Sequence, residues 1–394
     1  MRCNQEKLLR RHFLTGLAAA GFLGPFSSET QWQRQTPGES LPLPAQSGID
    51  RVVVVTMENR SFDHLLGWLP GADGRQAGLR YPDFTGQLQP THHLTDFQGC
   101  GFQDPDHSYE GGRIEYDGGK CDGWLRANDI YSIGYYQQSD LAFFGSAAPG
   151  WTVCDNYFAA ILAETFPNRF YQHAAQTDRL HNTSTQSVLP TIWDSLQNAG
   201  LTGKYYFNDA PFLALWGIKY LGISRPFVEF LADCASGNLP HVSFIDPRFE
   251  DEASGTSNDD HPHADIRNGE IFLNEVYHAV TSGPDWPSTL LVINFDEWGG
   301  FYDHVPPPTV PIPQADQLAG NQDGRLGFRT PALLISPWSR RGYVSRTQFD
   351  HTSVLKLIEW RFGLAPLTDR DRRATAPLEA FDFTQAPRAP VALP

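Results

Sequence analysis

Short runs of β-branched and other apolar residues, each followed closely by polar residues, most restrict what this chain can fold into. The run DRVVVVTM covers residues 50–57, similar runs cover 289–295 and 332–336, and residues 241–245 are a fourth candidate. Unbroken runs of this kind are typical of strands that are buried on both faces of a parallel sheet. We therefore expect these segments to be strands of one central sheet.

Helical patterns lie between these runs. Residues 191–199 carry apolar side chains at helical spacing and stop at Gly200, residues 269–280 repeat apolar positions at similar intervals, and residues 353–362 stop at Gly363. A glycine directly after the last periodic residue is a common helix end. Strands that alternate with helices indicate the α/β class, here a central, mostly parallel sheet flanked by helices.

The start of the chain resembles an export signal. Arg10 and Arg11 stand in the run RRHFLTG, and an apolar stretch rich in alanine and glycine follows over residues 14–26. A charged start before a mildly hydrophobic stretch is typical of the twin-arginine type. We expect residues 1–28 to lead the protein through the twin-arginine export machinery to the periplasm, the cell envelope or the medium. An ordinary start of a cytosolic chain is the alternative.

The remainder predicts one catalytic domain with short flanking segments. Residues 29–48 are polar and proline-bearing and indicate a linker, residues 49–380 form the domain, and residues 381–394 are a proline-rich tail. Residues 67–150 show few regular signals, and a loop region of that length in a compact domain is usually functional.

The charge of the chain excludes several partners. Its formal net charge is −15, whereas nucleic acids and anionic membranes both attract basic surfaces. No apolar run beyond the N-terminal segment reaches the roughly 18 to 20 residues that a membrane span needs. We expect neither a nucleic-acid partner nor stable insertion in a membrane.

Two cysteines bracket a glycine-rich part of the long loop region. These are Cys100 and Cys121, in a chain that the N-terminal segment marks for export. Exported proteins commonly carry disulfides. We expect these two residues to pair, and structural or free thiols are the alternative.

Acidic clusters follow two of the predicted strands. Glu58 and Asn59 come after the first run, and Asp296 and Glu297 after the run at 289–295. Ligands of open α/β sheets bind beyond the carboxyl ends of strands, so these side chains are expected to meet. Carboxylates this close need a cation between them, and oxygen ligands suit calcium, magnesium or manganese. Helix or turn capping by each cluster is the alternative.

A hydroxyl residue stands directly before a Phe-Pro-Asn-Arg sequence. Thr165 opens TFPNR, and proline is common in the first turn of a helix. Contact with a metal ion would lower the pKa of the Thr165 hydroxyl and make it a nucleophile. The competing interpretation is a helix N-cap.

Five of the 13 histidines stand out in motifs where each follows or closely neighbours an aspartate. A nearby carboxylate orients an imidazole and raises its pKa, which suits it to donate a proton to a leaving group. We expect two or three of the five to be catalytic. They are His107, His261, His263, His304 and His351.

The order of these motifs resembles a known phosphoesterase family. The segments ENRSFDH, TFPNR, NDDHP, DEWGGFYDHVPPP and DHTSVLKLIEWRFGL are similar to motifs of bacterial phospholipases C, plant non-specific phospholipases C and related bacterial acid phosphatases. The resemblance covers roughly residues 48–370. It implies a core similar to that of the alkaline phosphatase superfamily, with a nucleophile that becomes phosphorylated.

The resemblance also implies roles for individual residues. It makes Thr165 the nucleophile, in contact with the metal, and places three histidines in the phosphate pocket. Those histidines are His107, His261 and His351. The implied metal ligands are Glu58, Asn59, Asp296 and Glu297. The ions that these ligands could hold are calcium, magnesium, manganese and zinc.

Two departures from the family bear on the substrate. Trp298 stands where many members have His or Asn, and the additional C-terminal domains of several phospholipases are not evident after the last motif. The leading interpretation is phospholipase C-type cleavage of a glycerophospholipid. A broad-specificity acid phosphatase acting on small phosphate esters is the close alternative, and a non-catalytic phosphate- or lipid-binding protein is the third.

Overall fold

Eight strands form the central sheet of the computed structural model, which describes residues 41–393. Four shorter strands form two separate pairs, β2 with β3 and β4 with β5. In chain order the strands are β1 Arg51–Met57, β2 Arg80–Pro82, β3 Leu88–Pro90, β4 His92–His93, β5 Gly134–Tyr135, β6 Thr152–Cys154, β7 Gly203–Phe207, β8 Ser224–Pro226, β9 Val242–Ile245, β10 Thr289–Phe295, β11 Ala332–Ile335 and β12 Tyr343–Ser345.

The central sheet has the order β12-β6-β11-β10-β1-β9-β7-β8. All neighbouring strands are parallel except that β11 runs against both β10 and β6. The mostly parallel sheet and the four strands predicted from apolar runs are confirmed. The reversed direction of β11 was not predictable, because burial on both faces leaves the same sequence pattern in either direction.

Helices cover both faces of this sheet. They are α1 Phe62–Leu66, α2 Tyr109–Tyr116, α3 Trp124–Ala127, α4 Phe144–Gly150, α5 Thr165–Ala174, α6 Ile192–Asn198, α7 Phe227–Ser236, α8 Ile266–Ser282, α9 Gln314–Ala319, α10 His351–Phe362 and α11 Asp369–Arg373. The three helices expected from apolar periodicity are α6, α8 and α10, and all three are confirmed.

The valines of β1 divide between two cores because successive side chains of a strand point to opposite faces. Val53 and Val55 pack in one core with residues of α4, α7 and α8. Val52 and Val54 pack in the other core with residues of α5, α6 and α10. The α/β architecture is therefore three layers deep, and β1 and β10 lie at its centre.

The proposed disulfide between Cys100 and Cys121 is wrong. Cys121 is a free thiol that is 2% exposed and packs against Trp124 in a third apolar cluster. Burial and then the nearby Asp303 raise the pKa of this thiol to about 12. Cys121 therefore behaves as a small apolar side chain in this cluster.

The flanking segments are described only in part. Residues 1–28, and with them the expected export signal, lie outside the described residues. The C-terminal segment packs on the domain: Tyr277 donates a hydrogen bond to the carbonyl of Val391 at 2.6 Å, and Trp286 donates one to the carbonyl of Arg388 at 3.3 Å. Within residues 41–393, no helix is both long and apolar enough to cross a bilayer.

Candidate active site

The pairing register of β1 and β10 brings the first two acidic clusters side by side. Met57 and Phe295 are partners at the ends of these strands, so the residues after them leave the sheet together. The backbone N–H of Asn59 donates to Asp296 Oδ1 at 3.1 Å. Glu58, Asn59, Asp296 and Glu297 are all buried at this edge.

Two glycines allow the loop after β10 to pass close to the loop after β1. Gly299 and Gly300 have φ angles of 63° and 68°, a region that favours glycine. A Cβ atom on Gly299 would lie 2.0 Å from the carbonyl oxygen of Asn59. The Gly-Gly pair after Trp298 is therefore a packing requirement of this site.

The carboxylates of Glu58 and Glu297 have too few positive partners nearby to stabilise their ionised forms. Burial raises the pKa of Glu58 well above its ordinary value, in spite of nearby Arg169. Burial, followed by repulsion from Asp296, does the same for Glu297. Of the Glu297 oxygens, Oε2 accepts from the Gly299 N–H at 2.7 Å, whereas Oε1 has no hydrogen-bond partner among the described residues. A buried carboxylate oxygen without a partner, in an oxygen-rich cluster, fits a divalent cation.

Arg169 is a central residue of the site that our sequence analysis quoted but gave no role. Its Nε lies 3.0 Å from Asp296 Oδ2, its Nη1 lies 2.9 Å from Asp246 Oδ1, and its Nη2 lies 3.6 Å from Glu58 Oε1. Burial alone would lower the pKa of the guanidinium, but these carboxylates raise it. Arg169 stands four residues after Thr165 in α5, a spacing that places both on one face of a helix.

Asp246 is the second residue that sequence analysis missed. It directly follows β9, beside β1 in the sheet, and it also accepts a hydrogen bond from the Tyr205 hydroxyl. Burial raises the pKa of Asp246 to about 7. The signal was available, because Asp246 follows a predicted strand as Glu58 and Asp296 do.

Thr165 is the first residue of α5, so it is not the N-cap. Glu164 holds the N-cap position, and its carboxylate accepts hydrogen bonds from His181 and from the Asn182 backbone rather than from the helix. The Thr165 hydroxyl donates to Asn59 Oδ1 at 3.5 Å. This geometry places Thr165 against the β1 cluster and removes the capping interpretation.

Asn168 holds the loop before Thr165 in place. Its Oδ1 accepts from the Ile161 N–H at 3.1 Å, and its Nδ2 donates to the carbonyl of Ala163 at 2.7 Å. The residue therefore positions the loop that leads into α5, which accounts for an asparagine in TFPNR.

His107 and His261 lie close together beside the β1 cluster, with ring centroids 6.1 Å apart. His107 Nδ1 lies 2.8 Å from the carbonyl of Pro105, and its Nε2 lies 3.3 Å from Asn59 Nδ2. A proton on Nδ1 satisfies the carbonyl and leaves Nε2 as the acceptor for the Asn59 amide. His107 therefore touches the same asparagine as Thr165.

His261 is held in its cationic form by carboxylates. Its Nδ1 lies 3.1 Å from Glu252 Oε2, and its Nε2 lies 3.6 Å from Asp104 Oδ2. Burial alone would lower the pKa of His261, but Asp104, Glu252 and Glu58 outweigh burial and raise it well above the ordinary value. A protonated imidazole at neutral pH can donate a proton to a leaving group.

The structure does not favour His351 as a residue of the phosphate pocket. His351 is fully buried, its Nε2 lies 2.7 Å from the carbonyl of Asp296, and its Nδ1 lies 3.0 Å from the Tyr157 hydroxyl. Burial lowers the pKa of His351 to about 4. Both ring nitrogens of His351 contact other protein atoms, so this histidine holds the backbone of Asp296 in place and is not available to a substrate.

The other two histidines of interest have their own partners. His263 Nε2 contacts the carbonyl of Phe102 at 3.2 Å. His304 belongs to a separate group with Asp63 and Asp303, in which Arg329 lies 3.2 Å from Asp63 and 2.9 Å from Asp303. This compensated group joins α1, which follows β1, to the loop that follows β10.

A second group of carboxylates extends the site toward the loop after β9. One oxygen each of Glu58, Glu252 and Asp259 lie within 4.8 Å of one another. The backbone N–H of Glu58 donates to the carbonyl of Asp259 at 2.7 Å. The loop that carries Glu252 and His261 is thereby fastened to the end of β1.

The site thus unites a buried hydroxyl, an oxygen-rich cluster and a cationic imidazole. The model of the Phosphoesterase family matches residues 49–365. The chain belongs to this family. The phosphoesterase is therefore a hydrolase that acts on phosphoric ester bonds, which excludes the non-catalytic binding protein as its class.

Similar proteins of known name include phospholipases C. Non-specific phospholipase C1 of Arabidopsis thaliana is 32% identical to this phosphoesterase over 391 residues, which cover 88% of this chain and 73% of the relative. Phospholipase C B of Mycobacterium tuberculosis is 30% identical over 434 residues, with coverages of 91% and 82%. The resemblance drawn from the sequence motifs is confirmed.

The solved structures that match the phosphoesterase do so at low similarity. A protein of the alkaline phosphatase superfamily from Vibrio parahaemolyticus has a TM-score of 0.41 and 8% identity, and covers 85% of this chain and 71% of that chain. The phosphonate monoester hydrolase of Agrobacterium radiobacter has a TM-score of 0.37 and 9% identity, with coverages of 80% and 74%. We draw no conclusion about the site from likenesses this distant.

Proposed function

We propose that this phosphoesterase is a phospholipase C-type enzyme that cleaves a glycerophospholipid through a phosphothreonine at Thr165. The observation that carries the proposal is the position of the Thr165 hydroxyl. It lies on Asn59 at the buried carboxylate cluster, and Asn59 also contacts His107, whose ring centroid lies 6.1 Å from that of the cationic His261. The names of the similar phospholipases C support a phospholipid as the substrate.

Glu58, Asn59, Asp296 and Glu297 would hold a divalent cation, with the Thr165 hydroxyl as a further ligand. The unpartnered Oε1 of Glu297 supports this assignment. When bound, the cation supplies positive charge that favours the alkoxide of a nearby hydroxyl over the alcohol. Arg169 already neutralises part of the negative charge of Asp296 and Glu58, so one divalent ion suffices for the four ligands.

The chemistry divides into two steps. Thr165 Oγ1 loses its proton to solvent and forms a bond to phosphorus, while the bond from phosphorus to the diacylglycerol oxygen breaks. His261 donates its proton to that leaving oxygen. In the second step His261 takes a proton from water as the water oxygen attacks phosphorus. The phosphorylated headgroup leaves, and Thr165 regains a proton from solvent.

Quenching the enzyme during turnover tests the covalent step. We expect mass spectrometry to find a phosphorylated headgroup on the Thr165 peptide, Thr165→Ser to keep part of the activity, and Thr165→Val to lose nearly all of it while folding normally. Thr347→Val is a control at another hydroxyl, which donates to Glu379 rather than to a residue of this site. A fully active Thr165→Val with no modified peptide would refute the mechanism.

Three substrates assayed side by side separate the phospholipase from the acid phosphatase. They are phosphatidylcholine, phosphatidylethanolamine and p-nitrophenyl phosphate. Release of diacylglycerol at a higher kcat/KM than release of p-nitrophenol supports the phospholipase. The opposite order, with inorganic phosphate as the product of monoesters, would assign the chain to the phosphomonoesterases.

We also propose export by the twin-arginine route to the periplasm, the envelope or the medium. The support is Arg10, Arg11 and the apolar stretch after them. Replacing both arginines by lysine should keep the active enzyme inside the cell. Normal export of that double variant would contradict the proposal.

A further inference from the structure

The hairpin of β2 and β3, residues 80–90, is anchored at the edge of the sheet that carries the candidate site. Tyr81 packs against Tyr302 with ring centroids 5.9 Å apart, and the Tyr302 hydroxyl donates to the carbonyl of Arg75 at 3.2 Å. Tyr302 lies in the loop that follows Asp296 and Glu297. The base of the hairpin therefore rests on a loop of the active site.

The tip of the hairpin is a rigid turn. Asp83 Oδ1 accepts from the Thr85 N–H at 2.9 Å, from the Thr85 hydroxyl at 2.6 Å and from the Gln87 N–H at 3.0 Å. Asp83 Oδ2 accepts from Gln89 Nε2 at 3.0 Å. The hydrogen bonds from Thr85 and Gln89 hold the pKa of Asp83 at about 2, so the carboxylate stays ionised and the turn stays braced in mildly acidic conditions.

This braced turn displays apolar side chains to solvent. Phe84 at the tip is 88% exposed, and Leu88 at the start of β3 is 53% exposed. Phenylalanine and leucine are among the residues most often buried in proteins. Because the backbone of the turn is already braced, little backbone freedom is lost when these side chains enter an apolar phase, which favours binding.

Residues 75–90, which include the hairpin, carry two arginines and one ionised aspartate, a formal charge of +1 in an acidic chain. Arg75 and Arg80 are exposed, and neither forms an ion pair with a carboxylate of the described residues. Asp83 is the only acidic residue between positions 75 and 90, and its oxygens are used inside the turn. With the net charge of the chain at −15, this segment is suited to face lipid phosphates.

We propose that the hairpin is an interfacial anchor, which places Phe84 and Leu88 at the headgroup boundary of a phospholipid bilayer with Arg75 and Arg80 against lipid phosphates. The inference rests on the proposed function, since a phospholipase must reach its substrate at a bilayer surface. The contact is peripheral: it adds a docking surface and requires no span through the membrane.

Vesicle sedimentation with the full chain tests the anchor. The probe is vesicles of phosphatidylcholine and phosphatidylglycerol, mixed with enzyme for a time too short for measurable turnover. We expect Phe84→Ser to lower the partition coefficient at least about tenfold, which is the effect of losing one buried aromatic side chain. Activity on soluble p-nitrophenyl phosphorylcholine should stay at the wild-type level, because Phe84 contacts none of the site residues.

A matched pair of leucines separates the anchor from general surface hydrophobicity. Leu88 and Leu221 are 53% and 54% exposed. Leu221 lies just before β8, at the amino ends of the parallel strands, whereas the candidate site lies at their carboxyl ends. We expect Leu88→Ser to weaken vesicle binding and Leu221→Ser to leave it unchanged. Equal effects of the two substitutions would overturn the anchor.

Two further outcomes distinguish failure of the anchor from failure of the proposed function. A Phe84→Ser variant that binds vesicles like the wild type, or that loses activity equally on the soluble ester, would overturn the anchor and leave the proposed function standing. Binding that depends on Phe84 in an enzyme that cleaves no phospholipid would support the anchor and refute the proposed function.

Discussion

At the residue scale, the arrangement of the candidate site depends on pairing each buried charge with an opposite charge. Arg169 contacts Asp246, Asp296 and Glu58 in a buried position, and ions in such positions are stable only when they are paired. Because Arg169 and Thr165 share one helix, the residue that neutralises the carboxylates also fixes the hydroxyl relative to them. His261 lies beside His107, where Asp104 and Glu252 outweigh burial and keep it protonated.

Both stability and activity are expected to depend on the protonation of His261. Because the folded-state pKa of His261 is raised, the charged form adds stability that is complete below the ordinary pKa of about 6.5 and is lost as pH rises through the raised value. Activity should fall over the same alkaline range, since the proton donor is lost. We expect His261→Gln to lower kcat by about 10²- to 10⁴-fold on phospholipids and to abolish this alkaline fall.

The leaving group provides the control for His261. p-Nitrophenolate leaves without a proton, so His261→Gln should lower kcat far less on p-nitrophenyl esters than on phospholipids. His263→Gln, two residues away but turned to the carbonyl of Phe102, should change neither substrate's pH profile. Equal losses on the two substrate types would contradict the proton-donor role.

At the scale of elements, the site is made where neighbouring strands end. β1, β9 and β10 are adjacent and parallel, and each is followed by a carboxylate: Glu58, Asp246 and Asp296. The helix α5 then supplies Thr165 and Arg169 across these strand ends. The loops must approach each other closely for this to work, and Gly299 is the point of closest approach.

Gly299→Ala is therefore expected to damage the site more than the fold. The substitution forces a Cβ to within 2.0 Å of the Asn59 carbonyl oxygen, so the two loops must separate and metal affinity and kcat should fall together. Gly363→Ala is a matched control, since its φ of 66° is close to the 63° of Gly299 and nothing lies within 4 Å of the added atom.

Both glycine substitutions carry the backbone strain of a positive φ, of order 1 kcal/mol. Thermal unfolding should therefore report a loss of stability in each variant, while activity assays should report a loss only for Gly299→Ala. Full activity of Gly299→Ala would contradict the requirement for close approach of the two loops.

At the scale of the whole molecule, binding of a divalent ion should raise the free energy of unfolding. A ligand that binds only the folded state stabilises it by roughly 2.7 kcal/mol at a hundredfold excess over its Kd. We expect calcium, magnesium, manganese or zinc to raise Tm by a few degrees and chelation to reverse the gain and remove activity. Calorimetry with each ion in turn identifies the metal.

Glu297→Gln tests whether that gain comes from the predicted site. Replacing the unpartnered carboxylate should preserve the fold and abolish the metal-dependent rise in Tm. Glu115→Gln is the control, because Glu115 is equally buried but its oxygens accept hydrogen bonds from Asn128 and Trp298. A metal-dependent rise that survives in Glu297→Gln would place the ion elsewhere.

Sequence alone determined the parts of this protein that depend on local patterns. The four predicted strands, the helices α6, α8 and α10 and the family motifs were all readable, because burial of a strand or of a helix face leaves a period in the chain itself. The rule that ligands gather beyond strand ends predicted that Glu58, Asn59, Asp296 and Glu297 would meet, and the register of β1 with β10 brings them together.

Only the tertiary structure decided which polar side chains face one another. His107, His261 and His351 look alike in sequence, yet His107 contacts Asn59 and lies beside His261, whereas His351 is enclosed against the carbonyl of Asp296. In the same way, Cys121 is buried among aromatic rings rather than paired. The physical reason is that the environment of a side chain is set by segments distant in sequence, whose approach no local period records.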